Sequence, residues 1–530
     1  MRYFDAIRGC LLVLALVLPT ISQAQFQVDI DAALNEPIPF MPAALGDFTH
    51  PISSRNEVAR DFFDQGFQLM YAYGKQEAIQ SFRQAWRTDP NCAICYWGEA
   101  WSWGSYLNAA MTTDEAPHAY AALQKAIELR DRAAPEEQAY IDALSVRYVT
   151  DYDVTQRRQQ DIEYAVAMRD LAEAYPDDLD AVTLYADALF LLEERRGFRD
   201  IDNPRIRSIR DVLESVLDRD IRHVGACHLY IHLTEATVQP ELAEPCAEFI
   251  GSSVPGASHL NHMPSHTWNE VGRWGDSVRA NLQAWHSDQK VAINEGVAIY
   301  PTHNLHMLLF AASYDGQGAI AMRAAEDFTD LTGNSTHELL VRLRFGRFSE
   351  VLELTNRGGD PWQQGVWEFA HGYARLRSNE PEFAAAHLTR LERIAATTNI
   401  RVRFDAAADV LRVLTGILRG EIHRAAGDMD AAIDAFGEAV ETEDALTYDE
   451  PEILPFSARH WLGAALLEAG QYREAERVYR AELVDHPHNG WSLFGLRQAL
   501  AARGRTDADV DSDFDQSWSR SDVWITASRF

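Results

Sequence analysis

Half of the histidines in this chain, nine of 18, fall between His223 and His306. They form three groups. The first is His228-Leu-Tyr-Ile-His232-Leu-Thr-Glu235, the second His259-Leu-Asn-His262-Met263-Pro264-Ser-His266, and the third His303-Asn-Leu-His306. Spacings of 3, 4 and 7 put side chains on one face of a helix, one turn apart. Two imidazoles at i and i+4 can hold one ion, and imidazole suits Zn, Cu, Fe and Ni. The expected ligands are therefore His228, His232, His259, His262, His266, His303 and His306, with Cu, Zn or Fe as the cofactor. Glu235, one turn beyond His232, is the candidate carboxylate ligand or catalytic base. The inner residues differ from HExxH, so that protease motif is absent. Pro264 either cuts the second group short or starts a new helix.

The spacing between groups carries more information than the spacing within them. His228 to His262 is 34 residues, and so is His232 to His266; the third group follows about 40 later. A period near 34 belongs to stacked helix pairs, in which residues one period apart occupy equivalent places. The bland alternative is histidines that merely hydrogen-bond across neighbouring helices. The two readings differ in convergence: a metal site needs imidazole nitrogens within about 4–5 Å of one another, so that a pair can share an ion at ~2.0–2.1 Å each.

The elements that would position these groups leave their own signature. Gly66, Ala78, Phe82, Ala85 and Pro90 stand at offsets of 12, 16, 19 and 24 from the glycine. Gly420, Ala432, Phe436 and Ala439 repeat the pattern, as do Gly463, Ala475, Tyr479 and Pro487; Gly372, Ala384 and Leu388 repeat it weakly. The chain thereby resembles the tetratricopeptide-repeat (TPR) superfamily. That resemblance implies an all-α, right-handed helical solenoid whose first helices line a concave groove, where a peptide or partner protein is the usual ligand. Ala93-Ile-Cys-Tyr-Trp-Gly98, the HMPSH and HNxH runs, and Asn489-Gly-Trp-Ser-Leu-Phe-Gly-Leu496 further resemble a group of bacterial exported TPR proteins, which implies no particular reaction.

The expected layout is a signal peptide over 1–24, an extended N-terminal arm over 25–50 and TPR-like repeats over 51–160. Central helical repeats with the histidines follow over 161–330, then C-terminal repeats over 331–500 and a tail over 501–530. Residues 441–456 read as an acidic loop inserted between repeats. The leader has Arg2 and Arg8, eight apolar residues from Leu11 to Leu18, and Ser22-Gln23-Ala24 as a cleavage site. The apolar run is too short to span a bilayer, so the expectation is a periplasmic or secreted protein with no membrane insertion after cleavage. A formal charge of −32 argues against nucleic acid as a partner.

Cys227 and Cys246 are 19 residues apart on adjacent expected helices and suit a disulfide. Cys92-Ala-Ile-Cys95 lacks the histidine of a haem-attachment motif and the βαβ setting of a redox motif, so it reads as a structural disulfide or buried thiols. Trp97, Trp101 and Trp103 read as core. Two functions from different classes follow: a His-rich transition-metal site in the groove, for metal-dependent catalysis or metal handling, or a non-catalytic scaffold that binds a peptide or partner protein.

Overall fold

The computed structural model describes residues 34–194 and 197–530. The expected signal peptide and the first part of the arm lie outside the described residues. The described chain is all-α: successive antiparallel helices, with one short hairpin, Arg401–Val402 against Asp405–Ala406, as its only sheet among the described residues. No described helix is long and apolar enough to cross a membrane.

The repeat pattern has a direct packing cause. Phe82, on the Lys75–Thr88 helix, lies against both Gly66 and Gly98; a Cβ at these glycines would sit 3.0 and 2.4 Å from its ring. Tyr479 is held in the same way between Gly463 and Gly495, at 2.4 and 2.1 Å, and Phe436 abuts Gly420 at 2.4 Å. One aromatic ring thus fills the space between consecutive first helices, which a side chain on either glycine would close. The turns within two of these pairs use Gly427 and Gly470 at φ +84° and +75°, a conformation that other residues rarely adopt. The weakest repeat departs from expectation: Gly372 meets Leu418 and His387 rather than Leu388.

Polar caps start several helices. Asn56 accepts from Ala59 N, Asp178 from Asp180 N and Ala181 N, and Asn489 from Ser492 N, each satisfying amides that the helix leaves unpaired. Trp97, Trp101 and Trp103 are buried, as expected of core residues. Cys92–Cys95 and Cys227–Cys246 are both disulfides. The second ties the Val224–Thr234 helix to Glu244–Ile250.

The array also folds back on itself. On the N-terminal side, Gly256 N donates to Ala44 O at 2.9 Å, and Tyr106 and Tyr300 share a 2.7 Å hydroxyl–hydroxyl bond. On the C-terminal side, the indole N–H groups of Trp274 and Trp491 donate to Pro487 O and Ser313 O, both at 2.9 Å, and Arg520 pairs with Asp315 at 2.6 Å. The tail carries a helix, Ala508–Ser517, and ends with Phe530 packed against Tyr373, Phe456 and Trp461. The central histidine-bearing helices are therefore clasped from both sides.

Candidate metal centre

Three stretches of helix, separated in the chain by intervening helices, carry the site. Val224–Thr234 supplies His228 and His232; Ser258–His262 and Pro264–Glu270 supply His259, His262 and His266; Pro301–Tyr314 supplies His303 and His306. Pro264 begins the second half of the middle stretch, and Met263 between the halves keeps helical dihedrals (φ −50°, ψ −37°), so the axis is nearly continuous. Ser265 Oγ donates to His262 O at 2.6 Å across this junction.

Six of the seven predicted histidines come together as two triads. In His228–His232–His259 and in His262–His266–His303, one ligand nitrogen from each residue lies within 4.8 Å of the others. The Nε2 atoms of His228 and His259 are 3.1 Å apart, as are those of His262 and His266. An ion at ~2.0–2.1 Å from two nitrogens gives an edge of about 2.9–3.4 Å, so both 3.1 Å contacts, which are imidazole–imidazole hydrogen bonds in the ion-free chain, also match a shared-ion spacing. The third member of each triad has a nitrogen within 4.8 Å of that pair.

Glu235 joins the triads from behind. Its Oε1 is 2.9 Å from His232 Nδ1 and its Oε2 2.5 Å from His266 Nδ1. A 2.5 Å edge is too short for two ligands of one ion but fits an N–H donating to a carboxylate. The backbone carbonyl of Tyr71 accepts from His228 Nδ1 at 2.6 Å. A carbonyl or carboxylate only accepts, so His228 and His232 donate from Nδ1 and turn Nε2 toward the triads. Outer carboxylates and carbonyls orient metal-binding histidines in this way.

The electrostatics agree. Burial, reinforced by the neighbouring imidazoles, holds His259, His262 and His303 well below the usual histidine range, and so in the neutral, ligating form. Burial alone would raise Glu235, but His266 and His232 outweigh it and hold the carboxylate ionised. The donor set, neutral imidazoles on a polar floor, fits a borderline transition metal.

His306 goes elsewhere. One turn beyond His303, it packs at a tilt against His337 with ring centroids 4.3 Å apart, and its Nε2 has no hydrogen-bond partner among the described residues.

Two tyrosines absent from the sequence reading complete the first triad. Tyr73 lies 4.3 Å from His228 and 5.5 Å from His259, and Tyr300 lies 5.1 Å from His259. Both hold left-handed backbone, at φ +62° and +57°. Such strain in a bulky residue persists only where surrounding contacts enforce it, and it gathers at functional sites. The second triad opens instead onto a cavity of about 760 Å³, which His266 lines. The 444–458 connection forms much of the opposite wall, and Tyr448 reaches across it to donate to Glu270 at 3.2 Å.

No protein-family profile matches the chain, and no curated protein matches it either. Among solved structures the chain is similar to the P58(IPK) TPR domain (12% identity, 84% of this chain and 98% of that one, TM-score 0.23). It is also similar to Naa15/Naa10 bound to HypK-THB (13%, 87% and 72%, TM-score 0.24) and to the human IFIT1 dimer with m7Gppp-AAAA (9%, 81% and 90%, TM-score 0.30). The TPR-like character of the chain rests on its own glycine–aromatic packing, described above.

Proposed function

We propose that this protein is an exported TPR-like metalloprotein that holds two transition-metal ions side by side, one in each histidine triad, for metal-dependent chemistry on a ligand in the adjoining cavity. The observation that carries this reading is the convergence of six imidazoles from three helices, split into two sets of three around a single carboxylate. His228, His232 and His259 would hold the inner ion; His262, His266 and His303 the outer one. Glu235 orients both sets. A bound ion would supply Lewis-acid or redox chemistry. The two disulfides support an oxidising compartment and hence export.

A scaffold that grips a peptide through these histidines fits the geometry less well. His228, His232, His259, His262 and His266 are at most 3% exposed, so a partner chain could not reach them without unfolding the site. Elemental mass spectrometry of purified protein tests the proposal. About two equivalents of Cu, Zn or Fe per chain are expected, falling to one in His303→Ala, with a denaturant melt to confirm that the variant is folded. A parent free of metal after reconstitution would remove the proposal.

A further inference from the structure

The cavity beside the second triad has a chemistry of its own. Nine carboxylates line it, against one arginine and the two histidines His266 and His486. Part of this charge is matched: Arg459 serves Asp444 at 2.7 Å and Asp485 at 3.4 Å, Arg403 pairs with Asp449, and His486 lies between Glu482, outside the lining, at 2.9 Å and Glu452 at 3.4 Å. Glu270 receives only a phenolic hydrogen bond from Tyr448, and Glu443 only the Ser457 hydroxyl and the Ala458 amide. Neither makes an ion pair among the described residues; His486 acts on Glu270 and Arg459 on Glu443 only at longer range.

The wall also carries an unpaired acceptor. Asn269 is 8% exposed and lines the cavity, and its Oδ1 has no hydrogen-bond partner among the described residues. The rest of the surface is apolar and aromatic, from Trp274, Met307, Phe310, Ile453 and Leu454. Three of the most exposed large apolar side chains on the molecule, Phe198 (73%), Val238 (83%) and Val484 (77%), also line it. Water-facing apolar groups at a cavity edge mark a place where something apolar docks.

We infer that this cavity binds an organic cation, an ammonium or guanidinium group on an apolar body, with its charged end toward Glu270, Glu443 and Asn269 and its body against the aromatic wall. An ammonium is donor-only, which suits these acceptors. An anion would meet the carboxylates, and a neutral apolar molecule would leave them uncompensated. Aromatic faces attract cations as well as apolar surface. Burial holds the Glu270 and Glu443 carboxyls up at about 8, so an entering cation also supplies the charge that lets them ionise. The volume suits a ligand of the usual small-molecule size. In placing that ligand beside a reactive ion the inference rests on the metal reading; binding itself does not.

The test is calorimetric titration of the full chain, both EDTA-treated and metal-loaded, with 2-phenylethylamine, 2-phenylethanol and phenylacetate. The amine is expected to bind at least tenfold tighter than either other probe, in both protein states. Glu270→Gln should weaken the amine about tenfold, and Phe198→Ala, at an exposed position that tolerates truncation, about threefold. A capped Phe-Lys-Phe tripeptide separates the two sources of this chemistry: tighter binding than the amine assigns a lysine side chain of a peptide, weaker binding a free amine. Equal binding of amine and alcohol, or no binding of the amine to protein with its metal content intact, would overturn the inference. Amine binding to a protein that takes up no metal would overturn the metal reading alone.

Discussion

The two triads are built from the same residue type around one glutamate, yet their surroundings differ. His228–His232–His259 is sealed: every member is buried, and two tyrosines in strained backbone lie against it. His262–His266–His303 is open: His303 is only half-buried and His266 faces the cavity. Closed coordination is the mark of a structural or storage ion, and an open position the mark of an ion that meets substrate. On the proposed metal reading, the contrast would give the chemistry to the second triad and the support to the first.

The largest expected effect comes from the shared residue. Glu235→Gln removes a charge that serves both triads, so each should lose about 10–100-fold in metal affinity, measured by competition with a chromophoric chelator. Loss at only one triad would break the symmetry drawn here.

Gly225→Ala separates them. A Cβ there would lie 2.4 Å from the Tyr71 ring, in the helix that carries His228. A destabilisation of about 1–3 kcal/mol by overpacking is expected, read by denaturant melts. Metal loss should be confined to the sealed triad.

The pH response distinguishes triad from cavity. His259, His262 and His303 have folded values held down by burial, while their unfolded value is 6.5. Their contribution is intact above 6.5 and is lost as pH falls below it, because only the unfolded chain takes up the protons. Metal-free protein should therefore lose melting temperature steeply below pH 6.5, and metal should push that loss to lower pH. Glu270 and Glu443 act in the opposite sense. Raised from 4.5 to about 8, they stabilise at low pH and lose that contribution as pH climbs through this range. Glu270→Gln should accordingly raise the melting temperature more at pH 8 than at pH 5.

The smallest effect tests the seal. Tyr300→Phe keeps the ring on His259 and removes the 2.7 Å bond to Tyr106. A cost of about 0.5–1.5 kcal/mol is expected, with faster metal release from the sealed triad and none from the open one.

The repeat glycines and aromatics were readable in the sequence because their packing is local: Phe82 touches Gly66 and Gly98, each 16 residues away. The convergence of histidines was readable for the same reason, since stacked repeats turn a period of 34 into proximity. The partition into triads was not. Spacing pairs His228 with His262, whereas the fold pairs it with His259, one turn earlier on the middle helix. That register depends on how the helices slide past one another, which period alone does not set. Tyr73 and Tyr300 were invisible because a tyrosine carries no signal for left-handed backbone, and Tyr73 lies 155 residues from His228. The clasping of the centre by both ends, and the cavity it creates, depend on curvature summed over many repeats. Glu235 was marked in sequence as a ligand or base; the fold places it with His232 and His266, within reach of an ion and of both imidazoles' Nδ1 atoms.

The most direct measurement is anomalous diffraction at the absorption edge of the metal found in the purified protein. The account predicts two peaks, one among the Nε2 atoms of His228, His232 and His259 and one among His262, His266 and His303. Density for protein alone at both places, or a single ion bound through Glu235 oxygens, would contradict it.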